Sequence, residues 1–303
     1  MGDLVAADVE RLDRARTAVV LAVSPIEEHG PHLPLATDLL ESVGMARRLC
    51  DRLETVPGLA GWTYLFYPPL PIGSDTWLYP GSVEVAPATV RRVVEDIGVS
   101  LGRQGFARII LANNHGGPRH NLALEAAARA IARRSPARAL SLAGRVMVSF
   151  LLEDGLAPFL KEHGLPPDEL RYDFHAGFFE TSEMLALFPD RVRDGWQRLA
   201  AVSVPFGRMR RDSALHEGEG LGYFGAPARA SRELGEAYVE HILDVLVGDM
   251  TRFLLGERVT GLPLRWRIAL EALARWGELR QLVRRATKKT RRNGNSVPAG
   301  PAG

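Results

Sequence analysis

Apolar positions along this chain fall into two alternating rhythms. Ala18-Val19-Val20-Leu21-Ala22-Val23 is a continuous apolar run, too short for a helix and rich in β-branched residues, and it predicts a buried strand. Helical spacing follows from Leu39 to Leu53. Tyr64-Leu65-Phe66-Tyr67 predicts a second strand, ended by the turn-rich Pro68-Pro69-Leu70-Pro71 and a loop carrying Gly73, Ser74, Pro80 and Gly81. Val90, Val93, Val94, Ile97 and Leu101 mark one face of a helix closed by Gly105. Arg108-Ile109-Ile110-Leu111-Ala112 is the next buried strand, and the alanine-rich stretch from Leu122 to Arg134 is a good helix former. Val146-Met147-Val148-Ser149-Phe150 predicts a fourth strand. Such alternation implies a mostly parallel sheet covered on both faces, a three-layer α/β/α sandwich.

The pattern changes near the C-terminus. Residues 1–256 read as one domain, without an internal repeat. Residues 257–286 contain a helical stripe of Ala269, Ala272, Leu273, Trp276, Leu279 and Val283 among arginines. From Arg265 to Arg292 there are ten Lys or Arg against two acids, so the net +2 of the whole chain hides a −6 over residues 1–264. A mildly acidic main domain argues against nucleic acid as its partner. The basic stripe has two readings, an amphipathic helix on an anionic membrane surface or one docked on its own or a neighbouring subunit, and the docked helix is favoured. Residues 287–303 are polar and rich in Gly and Pro, and predict a disordered tail.

Other bulk features narrow the class. The apolar share of 46% and charged share of 24% are ordinary globular values. No apolar run reaches the ~18 residues of a membrane span. The first residues carry acids early and lack a basic-then-apolar leader pattern, and one cysteine, Cys50, fits a reducing compartment, so a cytoplasmic location is expected. Cys50 sits in an amphipathic segment and reads as a small core residue.

Three short segments concentrate the unusual chemistry, and each adjoins the edge of an expected element. Ser24 to Asp38 places Glu27, Glu28, His29, His32 and Asp38 within a few residues of a strand end. Asn113-Asn114-His115-Gly116-Gly117-Pro118 follows another strand, and Tyr172 to Ser182 carries His175 and Glu180. Imidazole and carboxylate are ligands of Zn²⁺ and Mn²⁺, and a mixed set with a bridging carboxylate suits two metals. Open α/β sheets place their chemistry at these carboxyl ends. No G-x-S-x-G elbow, G-x-G-x-x-G turn or Walker A pattern competes. His163, in Lys161-Glu162-His163-Gly164, reads as a helix C-cap, and His216 and His241 as structural or surface residues.

These segments resemble the creatininase (creatinine amidohydrolase) family. Its E-x-H-G-x-H-L-P motif is matched from Glu27 to Pro34, with Asp38 nine residues after His29; its N-G-H motif by Asn113-Asn114-His115; its H-[AG]-G-x-x-E-T-S motif by His175 to Ser182. The resemblance runs from about Thr17 to Leu254. It implies the creatininase-like sandwich, a homo-oligomer and a dinuclear centre of Zn²⁺ and/or Mn²⁺, with Fe²⁺ as a further option. Glu27 and His115 would hold one ion, His29 the other, and Asp38 would bridge them. Creatininase itself has a glutamate two residues after the N-G-H histidine, where this chain has Gly117; some relatives have one where this chain has Phe178. Glu180 is the expected substitute. His175 resembles the family's catalytic histidine, with Asp173 placed to orient it; His32 would orient a ligand carboxylate or cap its loop, and Glu28 has no assigned role.

The implied function is amidohydrolysis of a small cyclic amide, a formamide or a peptide-like substrate by a metal-activated water. Gly117, and the lack of an evident tryptophan beside His175 (Tyr172 and Phe174 stand there), argue against the creatininase pocket itself. The rival is a catalytically weak binding or scaffold protein on the same fold, associated with a membrane surface through its basic helix.

Overall fold

Strand β1 (Thr17–Ala22) is buried at all six positions, as a run with no polar face must be in a sheet covered on both sides. In the computed structural model, which describes residues 1–152, 155–165, 173, 175–203 and 220–272, it is one of the two inner strands of the sheet. β1 pairs in parallel with β2 (Thr63–Phe66) on one side and with β3 (Arg108–Ala112) on the other. β3 in turn pairs in parallel with β4 (Arg138–Ser141), giving the order β2-β1-β3-β4. The sheet expected from the apolar runs is therefore present, and among the described strands it is wholly parallel.

Helices cover both faces. After a short α1 (Ala6–Glu10), α2 (Thr37–Glu54) packs on one face, and α3 (Pro87–Arg103) and α4 (Pro118–Arg134) on the other. Beyond β4 come α5 (Leu142–Leu152), α6 (Leu156–Glu162), α7 (Phe178–Leu187) and the long α8 (Arg232–Leu254). Val20, Ala22 and Ile110 meet Leu49, Leu53, Leu243 and Leu246 in one core, and Val19, Leu21 and Ile109 meet Val94, Leu124 and Ile131 in the other. Each fully buried aliphatic side chain contributes on the order of 1.5–3 kcal/mol. Cys50 lies within the first core, and burial pushes its thiol far above its usual range.

One expected strand is wrong. Val146–Phe150 lies in α5, and the fourth strand is the less apolar Arg138–Ser141. The reason is geometric: α4 ends at Arg134, and only four residues later Arg138 must stand opposite Arg108 to continue the parallel ladder. Register outweighs β-propensity here. His163 does cap α6, with Gly164 in the left-handed region just beyond it.

The compact unit containing this sheet runs from Met1 to Leu262. Leu262 is buried and its backbone N–H reaches Glu125 at 2.9 Å, which holds the chain to the domain a few residues past the boundary expected at 256. A second unit starts at Pro263, and residues 264–272 of it are helical. Most of the expected basic stripe and the whole tail lie outside the described residues. Among the described residues, no helix is long and apolar enough to cross a membrane.

Candidate metal centre

The strand order places a crevice where β1 and β3 leave the sheet side by side, Ala22 opposite Ala112. This is the topological switch point, since the chain goes from β1 outward to β2 and then returns to the other side of β1. From β1 the chain enters a loop closed by the Glu27 N–H on the Leu35 carbonyl at 2.8 Å, and α2 starts at once. That closure returns Asp38, in the first turn of α2, to the side of Glu27. From β3 the chain runs through Asn113, which anchors the turn by accepting from the Ser24 hydroxyl and donating to the His115 carbonyl.

Asp38 sits in the middle of the result. Its Oδ1 is 3.4 Å from His29 Nε2 and its Oδ2 is 3.2 Å from His115 Nδ1. Glu27 Oε2 is 3.1 Å from the same His115 nitrogen, and Glu180 Oε2 is 3.6 Å from His29 Nε2. Glu27, Asp38 and His115 thus form one cluster that could hold an ion, and His29, Asp38 and Glu180 form a second that shares Asp38. Glu27, His29 and His175 are close enough to make a third. All five residues expected as ligands are brought together, and His175 stands beside them with its ring centroid 4.3 Å from that of His29.

The protonation pattern fits cations. His29 Nδ1 is 3.0 Å from the Glu27 carbonyl and His115 Nε2 is 2.9 Å from the Ser74 carbonyl. A carbonyl only accepts, so those nitrogens carry hydrogens and the opposite nitrogens face the carboxylates with lone pairs. Glu27 Oε2, Asp38 Oδ2 and His29 Nε2 are buried without a hydrogen-bond partner. Buried unpartnered oxygens and a ring nitrogen aimed at one another are costly unless a cation joins them. Without one, protons take that place. Burial opposes charge on His29, but the Asp38, Glu180 and Glu27 carboxylates outweigh it and raise its pKa to about 10. His115 is raised well above its ordinary value, burial again being outweighed, here by Glu27 and Asp38. Asp38 is held well below the usual carboxylate range, because the two histidines overcome its burial.

Gly117 has a steric reason. A Cβ there would lie 2.4 Å from His115 Nε2 and 2.8 Å from the Ser74 carbonyl oxygen, so the 74–75 turn occupies the space a glutamate would need. Glu180 reaches the cluster from the first turn of α7 instead, and its side chain keeps some exposure to solvent. Ala176, in the left-handed region at φ 48°, donates its N–H to Glu180 Oε2. His32 hydrogen-bonds neither to the clustered carboxylates nor to its own loop through its ring; its Nε2 is 2.8 Å from the Thr181 hydroxyl, which ties the loop to the helix that carries Glu180.

Two expectations change. Asp173 does not orient His175: its carboxylate accepts from the backbone N–H groups of Phe178 at 2.7 Å and Ala226 at 3.0 Å, fixing the start of α7. Glu28 has a part after all, since its backbone carbonyl accepts from His175 Nε2 at 2.5 Å. The remaining supports went unread in the sequence. Ser74 and Trp77 act through main-chain groups, the Trp77 N–H donating to Glu27 Oε1. His120, fully buried, faces the Val23 carbonyl at 3.1 Å. Asn114 was visible inside its motif, but nothing local indicates that its amide would bridge the buried carboxyls Glu41 and Glu183. His241 is a structural residue bound to the Gly155 carbonyl, and Tyr172, Phe174 and His216 lie outside the described residues.

With that geometry in view, comparison with known proteins is decisive for the family. The family model for creatininase, creatinine amidohydrolase, matches residues 2–249. This chain belongs to the creatininase family. Its relatives include the creatinine amidohydrolase of Pseudomonas putida, 28% identical over 79% of this chain and 91% of that protein. The mycofactocin precursor peptide peptidase of Mycobacterium tuberculosis (strain CDC 1551 / Oshkosh) is 26% identical over 84% of this chain and 92% of its own length. A solved manganese creatininase matches with a TM-score of 0.61 at 24% identity, over 84% of this chain and 97% of the other. A creatininase variant of Zn-Zn type matches at the same TM-score of 0.61, with 24% identity over 84% of this chain and 96% of the other. These likenesses carry the fold, and the creatininase-family chain is a hydrolase of carbon–nitrogen bonds.

Proposed function

We propose that this creatininase-family chain is a metal-dependent amidohydrolase acting on a small cyclic amide, a formamide or a peptide-like amide. Two divalent ions, Zn²⁺ and/or Mn²⁺, would be held by Glu27, Asp38 and His115 on one side and by His29, Asp38 and Glu180 on the other. The observation that carries this reading is the split of Asp38, one oxygen toward each histidine. When bound, such ions polarise the scissile carbonyl and make a water nucleophilic near neutral pH.

The chain's own groups do the rest. His175 has its Nε2 hydrogen on the Glu28 carbonyl, which leaves Nδ1 to take a proton. Burial, with His29 beside it, holds its pKa well below the ordinary value, so it enters the reaction neutral, as a base. It accepts the proton of the attacking water and delivers it to the departing nitrogen. Glu27 is oriented by the Trp77 N–H, and His29 and His115 by the two carbonyls behind them. Glu180 beside His29 supplies the carboxylate whose lack at position 117 supported the scaffold reading.

Metal content tests this directly. After loading with Zn²⁺ or Mn²⁺ and removal of excess, the chain should retain two ions, and His29→Ala or Glu180→Gln at most one. A chain that retains none, or variants that retain two, would overturn the assignment. A metal-loaded screen of creatinine, formamides and short peptides then identifies the substrate.

A further inference from the structure

The sequence offers no tryptophan next to His175, yet the fold brings one there from the loop after β2. Trp77 lies with its ring centroid 5.9 Å from that of His175 and 5.2 Å from that of Phe224. Its position is not left to side-chain packing alone, because its backbone N–H is held by Glu27 Oε1. Phe224 is itself fixed to His175 by a reciprocal pair of main-chain hydrogen bonds, 3.2 Å and 2.8 Å. It is only 2% exposed, with Tyr79 and Val202 packed against it. Trp77, by contrast, keeps partial exposure. The buried Phe224 therefore backs the partly exposed Trp77, which stands beside the histidine next to the clustered carboxylates.

We propose that Trp77 is a specificity residue, the surface against which a flat, apolar group joined directly to the scissile C–N unit packs. This rests on the amidohydrolase reading of the same centre. The physical argument is one of division of labour. The carboxylates and imidazoles deal with the polar amide, and a partly exposed indole beside His175 gains by being covered with a planar apolar group. Aryl and flat heterocyclic amides should therefore be preferred over small amides that leave the indole wet.

Hydroxamic acids test this without a known substrate. Acetohydroxamic and benzohydroxamic acid share a metal-chelating head, and only the second has a ring to place on Trp77. Binding to the full, zinc-loaded chain is measured by titration calorimetry, with zinc content checked for each variant. Wild type should bind benzohydroxamate about tenfold more tightly than acetohydroxamate. Trp77→Ala should lose most of that preference, while acetohydroxamate changes less than about twofold. Trp77→Phe should keep much of the preference and Trp77→Leu, apolar but not flat, should lose it; this pair decides the matter if Trp77→Ala does not fold or hold zinc. No preference in wild type, or an undiminished one in Trp77→Ala and Trp77→Leu, overturns the role of Trp77 while leaving the metal centre intact. Failure of wild type to bind either hydroxamate, or to hold zinc, instead overturns the reading on which the proposal rests.

Discussion

Gly117→Ala isolates the steric logic of the site. Gly117 has φ −55° and ψ 121°, which alanine adopts without strain, so the substitution perturbs only the space around the added methyl. That methyl would sit 2.4 Å from His115 Nε2, about 1 Å inside ordinary van der Waals contact. It would also sit 2.8 Å from both the Ser74 carbonyl oxygen and Asp75 Cβ. The Ser74 oxygen is main chain, so the imidazole must turn away and lose its 2.9 Å hydrogen bond to it. Overpacking strain of about 1–3 kcal/mol and a lost hydrogen bond of about 1 kcal/mol give a cost of about 2–4 kcal/mol. For a domain of this size the melting temperature should fall by roughly 5–10 °C. The hydrogen bond also holds His115 in the tautomer that faces Glu27 and Asp38, so metal affinity should drop about 10–100-fold. Thermal unfolding of the metal-free chain and competition with a chromophoric chelator measure the two effects separately. Gly117→Glu, which puts back the carboxylate of creatininase itself, should be worse than alanine and should not rescue Glu180→Gln. If Gly117→Ala melts and binds metal like wild type, or Gly117→Glu restores a second ion to Glu180→Gln, the steric account is wrong.

Three further outcomes are expected. In the metal-free chain His29, raised to about 10, and His115, raised well above its ordinary value, both carry an extra proton at pH 7. Full loading should then release about two protons and tighten as pH rises; calorimetry in buffers of different ionisation enthalpy reads the number, and none released would refute the arrangement. His120, pushed down from 6.5 to about 3 mainly by burial, is neutral when folded and charges when unfolded. Its contribution is complete above about pH 6.5 and is lost as pH falls toward 3, so His120→Gln should flatten the pH dependence of urea stability below 6.5 by up to about 1.4 kcal/mol per pH unit. An identical slope in the variant contradicts this. Ser231 caps α8 by accepting from the Leu234 N–H at 3.1 Å, so Ser231→Ala should cost about 1 kcal/mol in chemical denaturation, and an unchanged midpoint would show the cap to be idle.

Much of the site was legible because its parts are local in sequence. Glu27, His29 and Asp38 lie within one loop and the turn after it, and His115 directly follows a strand that the apolar run Arg108–Ala112 marks unaided. Glu180 could be inferred from its motif, but that it faces His29 depends on α7, whose start Asp173 fixes from outside the helix. Glu28 was misread because its part is played by a backbone carbonyl toward His175, far away in sequence, and Asp173 because its carboxylate goes to main-chain N–H groups, which no side-chain pattern marks. The fourth strand was misplaced because β-branched residues at 146 and 148 were given more weight than the ladder position of Arg138.

The division follows from the range of the forces involved. By itself the sequence determined the alternating strands and helices, the parallel layered sheet and the short segments that carry the residues gathered around Asp38, because apolar periodicity and short motifs are written within a few residues. Only the tertiary structure decided which strand completes the sheet, why no side chain fits at Gly117, and that Trp77 stands beside His175. Those depend on excluded volume and register between segments tens of residues apart, which pack against one another only once the whole core has formed.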